Sequence, residues 1–373
     1  MPITRLDEYP VHQVPEPLHV PATGDRNAYD RYWFNGYDRD AAFTFGVALG
    51  LYPNRDVMDG SLSVLVDGVQ HSFHGSRRAP LERTDTTVGP LRIEIVEPLR
   101  RLRVVLDPND TGLACDLTFS ARTPAMQENR ATMRVGSRVM LDLTRFTQLG
   151  VWDGRIEVPG RSLVVDRSRV VGTRDRSWGV RPVGEPEGGA PMPFSTILWL
   201  WAPVHFDDHA VLWGSFEGAD GRPWHASGKR VPTFDPSDAV PPDADAGVEE
   251  LTLVRHDLKF TPGTRYVSGG ELRMARASGE ELRLSLEPVA RFAMAGLGYG
   301  HPTWGHGTWH GDSSTEGERW VLADEDPMAV HLQHVQQVCR FREGDHQGVG
   351  VLEQLFFGPH GRYGFGGLLD PAP

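Results

Sequence analysis

Charged and aromatic side chains that could carry acid–base chemistry crowd a short stretch near the middle of the chain. Its members of interest are Arg174, Asp175, Arg176, Trp178 and Arg181. A carboxylic acid whose pKa is raised by burial can protonate an alkene, and a facing aromatic ring stabilises the cation that develops. Guanidinium neighbours instead lower a carboxyl pKa and would suit a base or an orienting role. Asp175 is therefore a candidate catalytic residue.

The same residues also fit a purely structural interpretation. An unpaired buried charge costs several kcal/mol, so a charged segment between apolar strands is expected to form ion pairs. We expect Asp175 to be held by Arg174, Arg176 or Arg181 at a seam between two halves of the chain. If it only latches that seam, breaking the pair should cost about 3 to 5 kcal/mol. Both interpretations stay open at this point.

A second unusual stretch, Gly296–Asp312, alternates aromatic residues and histidines with glycines. His306 and His310 are candidate acids if Asp175 is ionised, whereas the alternative is a glycine-rich turn whose aromatic rings plug a barrel end. Zinc ligation by His306, His310 and Asp312 is not favoured, because the glycines oppose the helix that would align histidines four residues apart. The sequence contains no nucleophile elbow, phosphate loop or dinucleotide fingerprint. We therefore expect neither a metal nor a cofactor.

Strand-like patterns surround both stretches. Phe43–Tyr52 is apolar throughout, which is typical of a strand buried on both faces, and Asp67-Gly68 predicts a tight hairpin. Trp199 and Trp201 share one face of a second-half strand. Residues 126–140 are the one segment with some helical character. Cys115 lies on the apolar face of an alternating strand, which predicts a buried free thiol.

Size and composition limit the function classes. The chain has 373 residues, enough for two domains, and its net charge of -12 argues against nucleic acid or an anionic membrane as a partner. No apolar run approaches the length of a membrane span, and residues 1–17 lack the apolar core of a secretory signal. We expect a cytoplasmic protein that binds a hydrophobic small molecule, of unassigned oligomeric state.

The Arg-Asp-x-Ser-Trp-Gly-x-Arg element at residues 174–181, together with the stretch 298–311, resembles the AttH-like and carotenoid 1,2-hydratase-like proteins. These are double-calycin proteins, in which paired lipocalin-like barrels enclose an apolar cavity. The resemblance implies an all-β chain with two lipocalin-like antiparallel β-barrel or sandwich domains packed together. The expected division is an N-terminal arm (1–30), an N-terminal domain (31–168) and a C-terminal domain (169–373).

Two functions follow from this combination. The first is a cofactor-free lyase or isomerase that hydrates, cyclises or isomerises an isoprenoid-like or polycyclic molecule, with Asp175, His306 and His310 as candidate catalytic residues. The second is a non-catalytic lipocalin-like protein that binds or transfers hydrophobic ligands. The predicted substrate-binding residues are Trp178, Arg181, Trp199, Trp201, Tyr299, Trp304 and Trp309.

Overall fold

A computed structural model of the chain describes residues 3–184, 190, 196–235 and 247–373. Across these residues the regular structure is β-strand, with a few 3-10 turns and no α-helix. The prediction of an all-β chain is therefore confirmed. The short 3-10 helices are Arg5–Glu8, Pro53–Arg55, Met294–Leu297, Val330–Leu332 and Gly361–Tyr363. Among the described residues, none of the helices has the length and apolar character needed to cross a membrane.

The first sheet contains fourteen strands, in the order β20-β4-β3-β2-β1-β13-β11-β8-β7-β6-β5, with β9, β10 and β12 also pairing with β11. It curves around an apolar core that includes Phe34, Phe45 and Trp152 and is nearly closed. Its strands are β1 (Ala28–Asp38), β2 (Phe43–Tyr52), β3 (Val57–Val66), β4 (Val69–Arg78), β5 (Thr87–Val88), β6 (Leu91–Glu97), β7 (Arg101–Leu106), β8 (Ala114–Ala121), β9 (Met126–Gln127), β10 (Ala131–Val135), β11 (Arg138–Val158), β12 (Arg161–Val165), β13 (Val170–Val180) and β20 (Ser313–Val321).

The second sheet is a closed barrel of eight antiparallel strands in the order β14-β15-β16-β17-β18-β19-β21-β22. Its interior is filled by apolar side chains, among them Trp213, Leu284 and Phe341. Its strands are β14 (Ile197–His205), β15 (His209–Glu217), β16 (Pro223–Pro232), β17 (Glu249–Phe260), β18 (Val267–Ala275), β19 (Glu281–Ala293), β21 (His334–Glu343) and β22 (His346–Phe357).

The two sheets pack against each other through a third apolar cluster. Trp33 and Val171 from the first sheet meet Trp201, Leu212 and Val351 on the outside of the barrel. The indole rings of Trp33 and Trp201 meet edge to face, with centroids 5.8 Å apart. Because side chains alternate along a strand, each of these strands places one set of side chains in the core of its own sheet and the other set in this shared interface.

Several local predictions are confirmed. Every residue of β2 is buried, because one face lines the first core and the other faces the interface. Asp67 and Gly68 both have positive φ, as the two central positions of a type I′ hairpin require. Cys115 is a buried free thiol. Residues 126–140, by contrast, form strands β9 and β10 and the start of β11, because pairing with β11 overrides the weak helical pattern.

Strand membership does not follow the order of the chain. β13 begins just after the predicted boundary at residues 168 and 169, yet it lies in the first sheet between β1 and β11. β20, from late in the chain, extends the same sheet by pairing with β4. The limits of the arm and of the two domains remain a prediction. Two strands from the predicted C-terminal domain, β13 and β20, lie in the first sheet, and the barrel takes no strand from the predicted N-terminal domain.

Candidate functional site

A cavity of about 230 Å³ lies between the first sheet and the outer face of the barrel. Strands β1, β11 and β13 form one side, and strands β14, β15, β16 and β22 form the other. Its lining combines apolar side chains with several charged groups. The apolar lining consists of Met133, Met140, Leu141, Leu143, Ile197, Phe216, Trp224 and Leu355.

Asp175 reaches this cavity because of its position on β13. It pairs with Trp33 of β1 on one side and with Thr147 of β11 on the other. Side chains two residues apart share a face, so Asp175 and Ser177 both line the cavity. The same face of β13 also carries Val171, which packs in the apolar interface between the two sheets.

The predicted ion pair between Asp175 and the arginines beside it in sequence is wrong. Alternation places Arg174 and Arg176 on the opposite face of β13. There the Nε of Arg174 donates to Gln148 at 3.0 Å, and Arg176 pairs with Asp30. Arg181 does line the cavity, but forms no ion pair with Asp175. A latch made from residues adjacent in sequence is therefore absent from the described part of the chain.

Asp175 is buried, and within the described residues its carboxylate accepts no hydrogen bond and forms no ion pair. Burial raises its pKa to about 7, a rise that Arg145 opposes and that the nearby charge of Glu128 reinforces. A group with this pKa is present both as acid and as base near neutrality. Asp175 can therefore either donate or accept a proton near neutral pH.

The carboxylate of Glu128 is held next to Asp175 by β11. It accepts hydrogen bonds from Arg145 at 2.7 Å and from the hydroxyl of Thr147 at 2.6 Å. The guanidinium of Arg145 also lies over the rings of Trp199 and Trp201, 4.9 Å and 5.6 Å from their centroids. Arg145 therefore neutralises Glu128 and orders the two tryptophans, while leaving Asp175 without a direct partner.

A second carboxylate, Glu353, enters from β22 and is fully satisfied. It accepts hydrogen bonds from the indole of Trp199 at 2.9 Å, from His334 at 2.8 Å and from Gln336 at 2.7 Å. Burial acts to raise the pKa of Glu353, but these donors outweigh it and hold the pKa below its usual range. Glu353 is therefore a fixed negative charge in the cavity wall, in contrast to Asp175.

The stretch 296–312 contributes only Tyr299 to this cavity. His306 lies behind it, with its Nε2 bonded to the carbonyl oxygen of Leu297 at 2.7 Å, and burial lowers its pKa well below the usual value. His310 stacks on Trp304 with ring centroids 3.8 Å apart, away from Asp175. The prediction that His306 and His310 join Asp175 at one site is not matched by their placement.

Three tryptophans that were predicted to line the cavity lie outside it. Trp178 is 42 % exposed, on the opposite face of β13 from Asp175. Trp304 donates its indole N–H to Glu316 at 2.7 Å, and Trp309 lies under the guanidinium of Arg78 on the surface. Of the predicted set, the structure brings together Asp175, Arg181, Trp199, Trp201 and Tyr299.

One group of side chains has the composition of a metal site. Ligand atoms of His74, His301 and Glu318 lie within 4.8 Å of one another, the one such group among the described residues. However, Nδ1 of His301 accepts the backbone N–H of Trp304 at 2.8 Å, so Nε2 carries the ring proton and donates to Glu318. A protonated nitrogen cannot ligate a metal, and the group is better described as a hydrogen-bonded cluster.

Several cavity residues were missed from the sequence, namely Trp33, Glu128, Arg145, His225, His334 and Glu353. A signal existed for Glu353, which is a lone carboxylate within the apolar run of β22. No sequence pattern marked Glu128 or Arg145 as cavity residues, because they approach Asp175 only through the pairing of β11 with β13.

Comparison with known proteins agrees with this architecture. A family model described as a family of unknown function, DUF8625, matches residues 3–366. The chain belongs to this family. A search of curated proteins gave no match for this DUF8625 chain.

Solved structures resemble this DUF8625 protein in fold. A putative AttH protein from Nitrosomonas europaea is 13% identical, with a TM-score of 0.53 over 93% of this chain and 98% of that one. Kievitone hydratase from Nectria haematococca is 16% identical, with a TM-score of 0.50 over 87% and 88%. CghA is 12% identical, with a TM-score of 0.51 over 89% and 88%. The predicted AttH-like fold with two calycin-type units is thereby confirmed.

Proposed function

We propose that this DUF8625 protein is a cofactor-free lyase or isomerase that uses Asp175 as a proton donor to an apolar, isoprenoid-like or polycyclic alkene. The observation that carries the proposal is a buried carboxyl group with no hydrogen-bond partner among the described residues, facing an aromatic cavity. The hydratase among the structures of the same fold supports the reaction class.

The proposed step begins with Asp175 in its neutral form. Its O–H proton is transferred to one carbon of a C=C bond, forming a C–H bond and leaving a cation on the other carbon. The face of Trp33 and the negative charge of Glu353 stabilise that cation, since the guanidinium of Arg145 already lies over the rings of Trp199 and Trp201. In hydration, water attacks the cation and returns its extra proton to the Asp175 carboxylate. In cyclisation, a second double bond attacks the cation, and the new cation loses a neighbouring proton to the same carboxylate. In isomerisation, the first cation loses a neighbouring proton to it directly, so every route restores neutral Asp175.

The buried free thiols Cys115 and Cys339 fit a reducing compartment, and we place the reaction in the cytoplasm.

The second candidate function is a carrier of hydrophobic ligands, which the apolar side chains that line the cavity favour. A carrier has no need of a titrating carboxyl group, so Asp175 separates the two functions.

The test compares the wild-type protein with Asp175→Asn on monoterpene alkenes and alcohols, squalene and neurosporene, with mass spectrometry of the products. We expect a product that has gained one water or rearranged, and turnover at least about a hundredfold lower in the variant with ligand binding retained. Asp116→Asn, an exposed aspartate paired with Arg103, is the matched control and should behave as wild type.

Full turnover in Asp175→Asn would overturn the assignment of Asp175. Recovery of an unchanged ligand from the wild-type protein, across the whole panel, would favour the carrier.

A further inference from the structure

Two arginines converge on Tyr299, and of the two only Arg181 lines the cavity. The guanidinium carbons of Arg31 and Arg181 lie 5.3 Å and 5.4 Å from the centroid of the Tyr299 ring. They lie at nearly equal distances, 5.6 Å and 5.7 Å, from the ring of Tyr29. Two positive groups thus lie near the same pair of tyrosines, one of which, Tyr299, lines the cavity together with Arg181.

Neither guanidinium forms an ion pair with a residue in the described ranges. Arg31 is 1 % exposed, and its hydrogen bonds go to the hydroxyls of Tyr52 at 2.8 Å and Tyr299 at 3.2 Å, while its Nε is buried without a partner. Asp59 and Asp175 act on Arg31 only through space. Elsewhere in the cavity, Arg145 is paired directly with Glu128. Among the described residues, no carboxylate is therefore in direct contact with either guanidinium at the corner made by Arg31, Arg181 and Tyr299.

A buried cation without a counter-ion is costly, and the cost is offset when an anion binds beside it. The planar fork of a guanidinium matches the two oxygens of a carboxylate, which gives it orientation as well as charge. Glu128 does not oppose such a ligand strongly, because its charge is neutralised by the ion pair with Arg145.

We infer that the substrate is an amphipathic acid, whose carboxylate binds at Arg181 in the corner beside Tyr299 while its apolar body lies along Met140, Leu143 and Ile197. This inference rests on the proposed function and deepens it, because a carboxylate fixed in the corner places the apolar body across Asp175. Arg181 then determines specificity and does not take part in proton transfer.

The test uses dehydroabietic acid and dehydroabietinol, which share a tricyclic body and differ in a carboxylate or a hydroxyl group. Titration calorimetry at pH 8, where the acid is ionised, compares wild type with Arg181→Gln and Arg181→Lys. We expect the wild-type protein to bind the acid about tenfold or more tightly than the alcohol. This preference should vanish in Arg181→Gln and be partly retained in Arg181→Lys.

The control is Arg161→Gln, an exposed arginine on β12, a strand that contributes no residue to the cavity lining, and it should keep the wild-type preference. Equal affinity for acid and alcohol in the wild-type protein, or an unchanged preference in Arg181→Gln, would overturn the inference and leave the role of Asp175 intact. If neither compound binds, the inference and the proposed apolar cavity site both fail. Loss of turnover in Asp175→Asn with the acid preference intact separates the two proposals.

Discussion

Two buried carboxylates, Asp175 at the interface between the sheets and Glu217 at the end of the barrel, show how differently this chain treats the same chemical group. Glu217 accepts hydrogen bonds from Nε2 of His256 at 2.7 Å and Nε2 of His360 at 3.1 Å. Nδ1 of His256 in turn bonds to the hydroxyl of Tyr363 at 2.6 Å. Asp175 has no such donors among the described residues.

The two pKa values move in opposite directions. Burial acts to raise the pKa of Glu217, but its two histidine donors outweigh burial and lower it to about 2. At Asp175 burial prevails over the attraction of Arg145, and the pKa rises to about 7. Burial alone therefore does not decide the protonation state of a carboxyl group, and the decisive difference is the supply of donors. Glu217, in the barrel, therefore receives hydrogen bonds from two histidines, whereas Asp175, at the cavity, receives none from the described residues.

The largest effect is expected from dividing the chain. Residues 1–168 lack β13, which lies between β1 and β11, so the fragment loses the strand that joins the two parts of the first sheet. We expect the expressed fragment to show no cooperative thermal unfolding and a poorly dispersed NMR spectrum. A soluble fragment with a sharp melting transition would contradict the view that the Asp175 region belongs to the core of the first sheet.

Glu217→Gln should be the more damaging of the two carboxylate substitutions. It removes the buried negative charge and one of the two acceptor oxygens, so that one buried histidine faces an amide donor, and we expect the free energy of unfolding at pH 7 to fall by about 3 kcal/mol or more. In the wild type the folded-state pKa is lowered, so this stabilisation is complete above about pH 4.5 and is lost as the pH falls toward 2. Chemical denaturation measures the change, with Glu281→Gln on the exposed barrel surface as control.

Asp175→Asn should act in the opposite direction and by a smaller margin. The folded-state pKa is raised, so ionised Asp175 costs stability that grows as the pH rises from about 4 to about 7. Removing the charge should therefore stabilise the protein above pH 7, by about 2 kcal/mol once the cost of burying an unpartnered amide is deducted, and change little at pH 4. Denaturation curves at both pH values, beside Asp116→Asn, provide the measurement. A loss of stability at pH 8 would mean that Asp175 has a direct partner after all.

Sequence patterns predicted the features that depend on near neighbours. The alternation in β14 placed Trp199 and Trp201 on one face, and Asp67-Gly68 defined a hairpin. The same alternation, applied to β13, would have separated Asp175 from Arg174 and Arg176. Residues adjacent in a strand point to opposite faces, and for that reason the predicted ion pair is wrong.

The rest of the site depends on pairing between distant parts of the chain. Arg145 comes beside Ser177 only through the register of β11 with β13, and Glu353 faces Trp199 only after β22 pairs with β14. Long-range pairing of this kind is set by the packing of whole sheets and has no local signature. His306 and His310 were misplaced for the same reason, because a glycine-rich segment does not specify which of its rings will face a cavity.

The pairing of β20 with β4 has a consequence for the growing chain on the ribosome. Strand β4 is translated early, but Ser313–Val321, which covers its free edge, follows only after most of the barrel has been made. Throughout that interval the nascent sheet exposes a row of unpaired backbone groups, the kind of edge that recruits other strands. The basic and polar residues His71, Arg77 and Arg78 on β4 oppose such recruitment. A strand made late in synthesis therefore covers the edge of the sheet that the first strands began.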